Sequence, residues 1–158
     1  MAKFGPLSFI VAILVSLMLP PAVLANMGSE ESTQSHDPNY EAGKKALAAQ
    51  EWSKAVDLLV RAVQATPNDS DAHNLLGYAY RKTGNFEASF VQYAEALKLD
   101  PSNRHAHEYI GEAYLLTGNL PSAEHHLTEL QKLCSPIPCE EYKELKRAVD
   151  AYKKAQKS

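Results

Sequence analysis

The most reactive side chains in this sequence are two cysteines, Cys134 and Cys139, separated by Ser135-Pro136-Ile137-Pro138. Two prolines in so short a stretch force a tight corner. A thiol pair so placed can close a disulfide, cycle electrons, or give two soft ligands to a metal. The Cys-x-x-Cys spacing of redox and zinc motifs is absent, and no third ligand lies nearby in sequence. In an oxidising compartment the pair reads as a structural disulfide, stabilising by about 2 kcal/mol through loop entropy. Redox or metal handling by the same sulfurs is the alternative.

The six histidines are the other candidate ligands. His105 and His107 diverge on a helix, as do the adjacent His125 and His126, so surface or half-buried helix positions are expected for them. His73 and His107 lie 34 residues apart, which suggests a shared packing role. Metal ligation is the alternative, and no metal or other cofactor is expected. No Ser/His/Asp or Cys/His arrangement is present, nor a glycine-rich phosphate loop, and the carboxylates are dispersed. No catalytic residue is assigned, and the chain is not expected to be an enzyme. With a net charge of −3 it has no broad basic patch, so nucleic acid is not an expected partner.

The elements that must position these groups follow one interval. Gly43, Gly77 and Gly111 are each 34 residues from the next. Ala46, Tyr80 and Tyr114 recur beside them, then Ala55, Ser89 and Ala123, then Ala62, Ala96 and Leu130. Pro67 and Pro101 close two copies, and Pro136 comes one step late in the third. This period marks a helix–turn–helix solenoid. A glycine inside a helix costs about 1 kcal/mol relative to alanine, so three at one register imply close helix approach. Ala55, Ser89 and Ala123 offer the matching small surface on each second helix. Leu76, Tyr80, Phe86 and Tyr93 fill the spaces in copy two; Ile110, Tyr114, Leu120 and Leu127 do so in copy three.

Leu76-Gly77-Tyr78-Ala79-Tyr80, Gly84-Asn85-Phe86 and Ala96-Leu97-Lys98-Leu99-Asp100-Pro101 resemble the consensus of the tetratricopeptide-repeat family, and the resemblance covers residues 36–136. Copy three repeats the pattern as Ile110-Gly111 with Tyr114, then Gly118-Asn119-Leu120. Copy one departs at Gln50-Glu51-Trp52, so its internal turn is the least defined. The resemblance implies an all-α fold, a right-handed helix–turn–helix solenoid of three 34-residue repeats, at 37–69, 70–103 and 104–137. It also implies a concave groove lined by the first helix of each repeat. That lining maps onto Tyr40, Lys44 and Leu47, then Asn74, Tyr78, Arg81 and Lys82, then Glu108, Glu112 and Leu115. Some family members grip a terminal carboxylate with a Lys-Asn-Lys-Arg clamp. Here that clamp is largely missing, and the groove pairs aromatics with charges of both signs.

Helices are expected near 38–50, 53–65, 71–83, 87–99, 104–117 and 121–133, opened by Asp37-Pro38, Asn85 and Asn103 as caps. Gly84 suits a left-handed helix end. Residues 138–158 hold a further helix with Tyr142, Leu145, Ala148, Val149 and Tyr152 on one face, read as the polar-backed cap a solenoid end needs. A basic membrane-surface helix is its rival. At the other end, Lys3, the 13-residue apolar run Leu7–Leu19, Pro20-Pro21 and Val23-Leu24-Ala25 read as a secretory signal peptide over 1–25. The run is short of the roughly 20 residues that span a bilayer. Residues 26–36 are polar and read as a disordered leader.

Together these features predict an exported, periplasmic or secreted monomer without stable membrane insertion. It is expected to bind a protein or peptide segment of an envelope protein through Tyr40, Lys44, Asn74, Tyr78, Arg81, Lys82, Glu108 and Glu112. The alternatives are thiol or metal handling through Cys134 and Cys139, and a self-associating structural module.

Overall fold

The computed structural model describes residues 37–157; the expected signal peptide and leader lie outside the described residues. Seven helices are present among the described residues: α1 (Pro38–Ala48), α2 (Trp52–Ala65), α3 (Ser70–Lys82), α4 (Phe86–Leu99), α5 (Arg104–Leu116), α6 (Leu120–Leu133) and α7 (Glu140–Ala155). Their bounds follow the sequence expectation closely. Consecutive helices pack in pairs, α1 with α2, α3 with α4, α5 with α6, and each pair stacks on the next.

The caps are local chemistry repeated. Asp37, Asp69 and Asn103 accept backbone N–H groups at the starts of α1, α3 and α5; Asn85 and Asn119 do the same for α4 and α6. Gly84 and Gly118 end α3 and α5 with φ of +81° and +82°. Copy one has Gln50 at that register, and Gln50 adopts φ +58°, so the turn survives its divergent residues.

The small residues work as expected. Ala55, Ser89 and Ala123 are fully buried, and Ser89 Oγ donates to the Gly77 carbonyl at 2.8 Å, which satisfies the one polar member. A Cβ on Gly43 would lie 2.7 Å from Leu59, and one on Gly77 would lie 2.7 Å from Tyr93. Both partners stand 16 residues downstream, on the second helix of the same copy. Gly111 breaks the pattern: its Cβ would strike Leu145 of α7 at 2.6 Å. The last helix therefore fits into copy three as closely as a repeat's own second helix does.

This placement packs α7 into the core of copy three. Leu145 and Val149 are buried with Leu115, Ala123 and Leu130, and Tyr142 and Tyr152 pack around them. The helix runs parallel to α5, since Glu141 meets Arg104 near their starts while Tyr152 lies near Gly118 at their ends. Its outer face carries Lys143–Glu140, Lys146–Asp150 and Arg147–Glu144 ion pairs. Among the described residues no helix is long and apolar enough to cross a membrane.

The buried histidines mark one register. His73 bonds Gln92 at 2.8 Å and the Pro67 carbonyl at 3.0 Å. One repeat later His107 faces His126, Nδ1 to Nδ1 at 3.0 Å, and the Pro101 carbonyl at 3.1 Å. His107 donates from Nε2 to that carbonyl, so its Nδ1 must accept the proton of His126. The sequence expectation of surface or half-buried positions fails for His107 and His126, which are buried against one another. Burial, with His107 and His125 beside it, lowers the pKa of His126 to about 4.

Candidate functional site

Helices α1, α3 and α5 lie side by side, and the capping and glycine contacts above fix their rotation. The face they share carries most of the residues expected to line a groove. Tyr78 and Tyr109 meet at a tilt of 43° with centroids 4.9 Å apart, and Trp52 meets Tyr78 edge-on at 6.4 Å. Arg81 lies over both tyrosines, at 5.1 and 5.6 Å, and its Nη1 donates to Glu112 at 2.5 Å. Lys82 lies over Trp52 and Tyr78, at 5.1 and 5.5 Å. These contacts are cation–π interactions, each worth about 0.5–1 kcal/mol at exposed sites. They hold long side chains in fixed positions across copies one to three.

The other expected residues are distributed around this cluster. Lys44 sits 5.3 Å over the ring of Tyr40, which is itself buried in the core between copies one and two. Asn74 is buried too, yet its Oδ1 finds no hydrogen-bond partner among the described residues, and neither does Arg81 Nε. Asn74 lines a cleft of about 190 Å³ with Tyr40, Asp71, Leu75, His105 and Tyr109. A second cleft, of about 480 Å³, lies between Arg81, Lys82, Glu112, Leu115, Leu116, Ala148 and Tyr152. Burial and the nearby Glu108 carboxylate raise the Tyr109 pKa to about 12, so the ring stays a neutral donor.

Glu108 is placed differently from an open groove position. It is buried, because α7 packs against α5 there. It shares the space with Glu112, Glu141 and Glu144, faced by Arg81, Arg104 and His105; His105 Nδ1 lies 3.6 Å from its carboxylate. Burial, then the three neighbouring carboxylates, raise its pKa to about 7. The groove thus ends in an acidic seam beneath the last helix.

Tyr109, Trp52, His105 and Tyr152 were not among the expected site residues. Tyr109 stands one position beyond Glu108, on the register of Leu75, and that register contains only this one aromatic. Tyr152 comes from outside the repeats altogether.

At the far corner, Cys134 and Cys139 stand at disulfide distance with Cα atoms 5.4 Å apart, linking the end of α6 to the start of α7. Among the described residues no group of three or more His, Cys, Asp or Glu is placed to hold a metal ion.

Family profiles described as tetratricopeptide repeat and TPR repeat match residues 40–96 and 77–118. A comparison with curated proteins gives no match. Among solved structures, the type III secretion translocator chaperone SycD of Yersinia enterocolitica superposes with a TM-score of 0.69 at 19% identity, covering 84% of this chain and 92% of that one. PcrH, in complex with the chaperone-binding region of PopD, gives 0.66 at 20% identity, covering 83% and 98%. The first TPR of Spaghetti (RPAP3), bound to an HSP90 peptide, gives 0.66 at 19% identity, covering 76% and 91%. At these identities the likeness is one of fold.

Proposed function

Because the chain belongs to the tetratricopeptide-repeat family, we propose that it is a non-catalytic interaction module that holds a segment of a partner protein on the face of α1, α3 and α5. The observation that carries this reading is the set of fixed aromatics and cations across that face. Tyr78, Tyr109 and Trp52 offer flat apolar surface at little entropic cost, and Tyr, Trp and Arg dominate binding energy at interfaces. Asn74 Oδ1 lies beneath this face, enclosed and without a partner among the described residues. Two of the fold relatives, PcrH and the Spaghetti repeat, hold partner segments in their structures.

The test is photo-crosslinking of a partner by the parent protein and by Tyr78→Ala/Asn74→Ala. Asn74 is buried, so circular dichroism must first show that the variant keeps its helices. The partner is expected to bind the variant at least about tenfold more weakly, or about 1.4 kcal/mol. Equal capture by both would remove this face from the binding site.

The proposal includes export. The apolar run Leu7–Leu19 and the small residues Val23-Leu24-Ala25 support cleavage before Asn26. The cysteine pair suits a disulfide in an oxidising space such as the periplasm, where the module would act as a monomer on an envelope protein. The intact mass of the exported protein is expected to lack residues 1–25. A mass that includes them would overturn the export reading.

A further inference from the structure

The larger cleft has walls of three origins. Arg81 and Lys82 end α3, Glu112, Leu115 and Leu116 end α5, and Ala148 and Tyr152 belong to α7. Helix α7 is thus also one side of an open cleft that no repeat could form alone. Its volume of about 480 Å³ falls within the usual range of binding pockets.

The charges on the cleft are unequal in their engagement. Arg81 and Glu112 neutralise one another at 2.5 Å. Lys82 is exposed and held over Trp52 and Tyr78, and no carboxylate pairs with it among the described residues. Lys153, on α7, is engaged by Glu124. The one lining charge left without a counter-charge is therefore a cation whose position two aromatic rings fix. The apolar part is equally specific. Leu116 is 63% exposed at the rim, one of few large apolar side chains so exposed among the described residues, and Leu115, Ala148 and Tyr152 continue its surface inward. Covering Leu116 is favourable for any apolar group that reaches it.

We propose that this composite cleft binds an acidic peptide segment in which one large apolar side chain stands next to a carboxylate. The apolar group covers Leu116 and enters between α5 and α7, and the carboxylate pairs with Lys82. The carboxylate is that of a side chain within the segment, so no free chain end is required. This proposal rests on the reading of the α1, α3 and α5 face as a partner site and gives that site its specificity. A basic segment would meet Lys82 without compensation. The acidic seam around Glu108 at the other end of α7 sets the opposite preference there, so the segment's acidic end lies towards the ends of α3 and α5.

A random heptapeptide library fused through its C-terminus to a phage coat protein offers no free terminal carboxylate. It is panned against the parent, Lys82→Glu and Leu116→Asp, whose exposed sites leave the fold intact by circular dichroism. The parent is expected to enrich peptides with Leu, Phe, Met or Trp within two positions of Asp or Glu. The enriched peptide, synthesised with an amidated end, should bind each variant at least about tenfold more weakly, and should weaken with salt. Enrichment of basic or uncharged peptides, or acidic peptides indifferent to both substitutions, would overturn the cleft. If those peptides were instead lost on Tyr78→Ala/Asn74→Ala, the partner face would stand and only its assignment to the cleft would fall. No enrichment would also overturn the cleft, while the crosslinking experiment would still judge the wider face.

Discussion

Leu145→Asp should release the last helix while leaving the first two repeats folded. Leu145 is fully buried and fills the space that the missing side chain of Gly111 leaves open. Truncating a buried leucine to alanine costs about 2–5 kcal/mol. An aspartate adds a carboxylate with no partner among Leu115, Ala123, Leu130 and Val149, so undocking costs less than burying it. Solenoid stability is close to a sum of neighbour terms, so the loss should stay local. Hydrogen exchange is the direct measurement. The amides of α7, and then those of α5 and α6, should lose protection by about 4 kcal/mol or more, while α3 and α4 keep theirs. Undiminished protection in α7 would refute its role as the cap. Equal collapse of α3 would show that the array unfolds as one unit.

The second large effect is on the pH profile of stability, and it has two opposed sources in copy three. Glu108 has a folded pKa raised to about 7. Its contribution is therefore fully present below its unfolded value near 4.5 and is lost as pH rises through 7. His126 has a folded pKa lowered to about 4. Its contribution is present above its unfolded value near 6.5 and is lost as pH falls through 4. Each amounts to about 3 kcal/mol at most, so between pH 4 and 7 the two largely offset one another. Glu108→Gln removes the first, and should stabilise the protein most at pH 8 and hardly at pH 4. His126→Gln recreates the Gln92 partner that His73 has one repeat earlier, and should stabilise most at pH 4. Urea unfolding at pH 4, 6 and 8 should show profiles of opposite slope for the two variants. Profiles parallel to the parent's would sink this assignment.

The fold was legible because its information is periodic. The glycine register, the buried Ala55, Ser89 and Ala123, and the asparagine caps each recur, and each recurrence points to the same helix contacts. The turn at Gln50 was harder to read, since a glutamine there gives no sign of a left-handed backbone. Local backbone bonds close it, from the Gln50 N–H to the Leu47 carbonyl and from the Glu51 N–H to the Ala46 carbonyl. The histidine pair was readable in principle. His107 and His126 have the same separation as His73 and Gln92, and that correspondence holds the packing information. The fate of Glu108 was not readable from the repeats. It depends on where α7 lies, and α7 has no earlier copy to be compared with. Its position follows from Leu145 and Val149 entering the core, a contact between a repeat and a non-repeat. The same holds for the larger cleft, whose second wall is Ala148 and Tyr152. Tyr78, Arg81 and Lys82 share one helix in the sequence reading, and the aromatic partners Trp52 and Tyr109 emerge only when adjacent copies are brought together.

The contact between Gly111 and Leu145 also sets a rule for rebuilding the molecule. Gly43 and Gly77 receive their partners from within their own copies, so those units are interchangeable parts. Copy three receives its partner from the terminal helix, and the two form a single indivisible end-piece. A longer array could be assembled by splicing another unit at the Asp100–Asn103 turn. The same insert placed after Leu133 would separate a glycine from the leucine that fills it and leave both the new unit and the old terminus with unmatched surfaces.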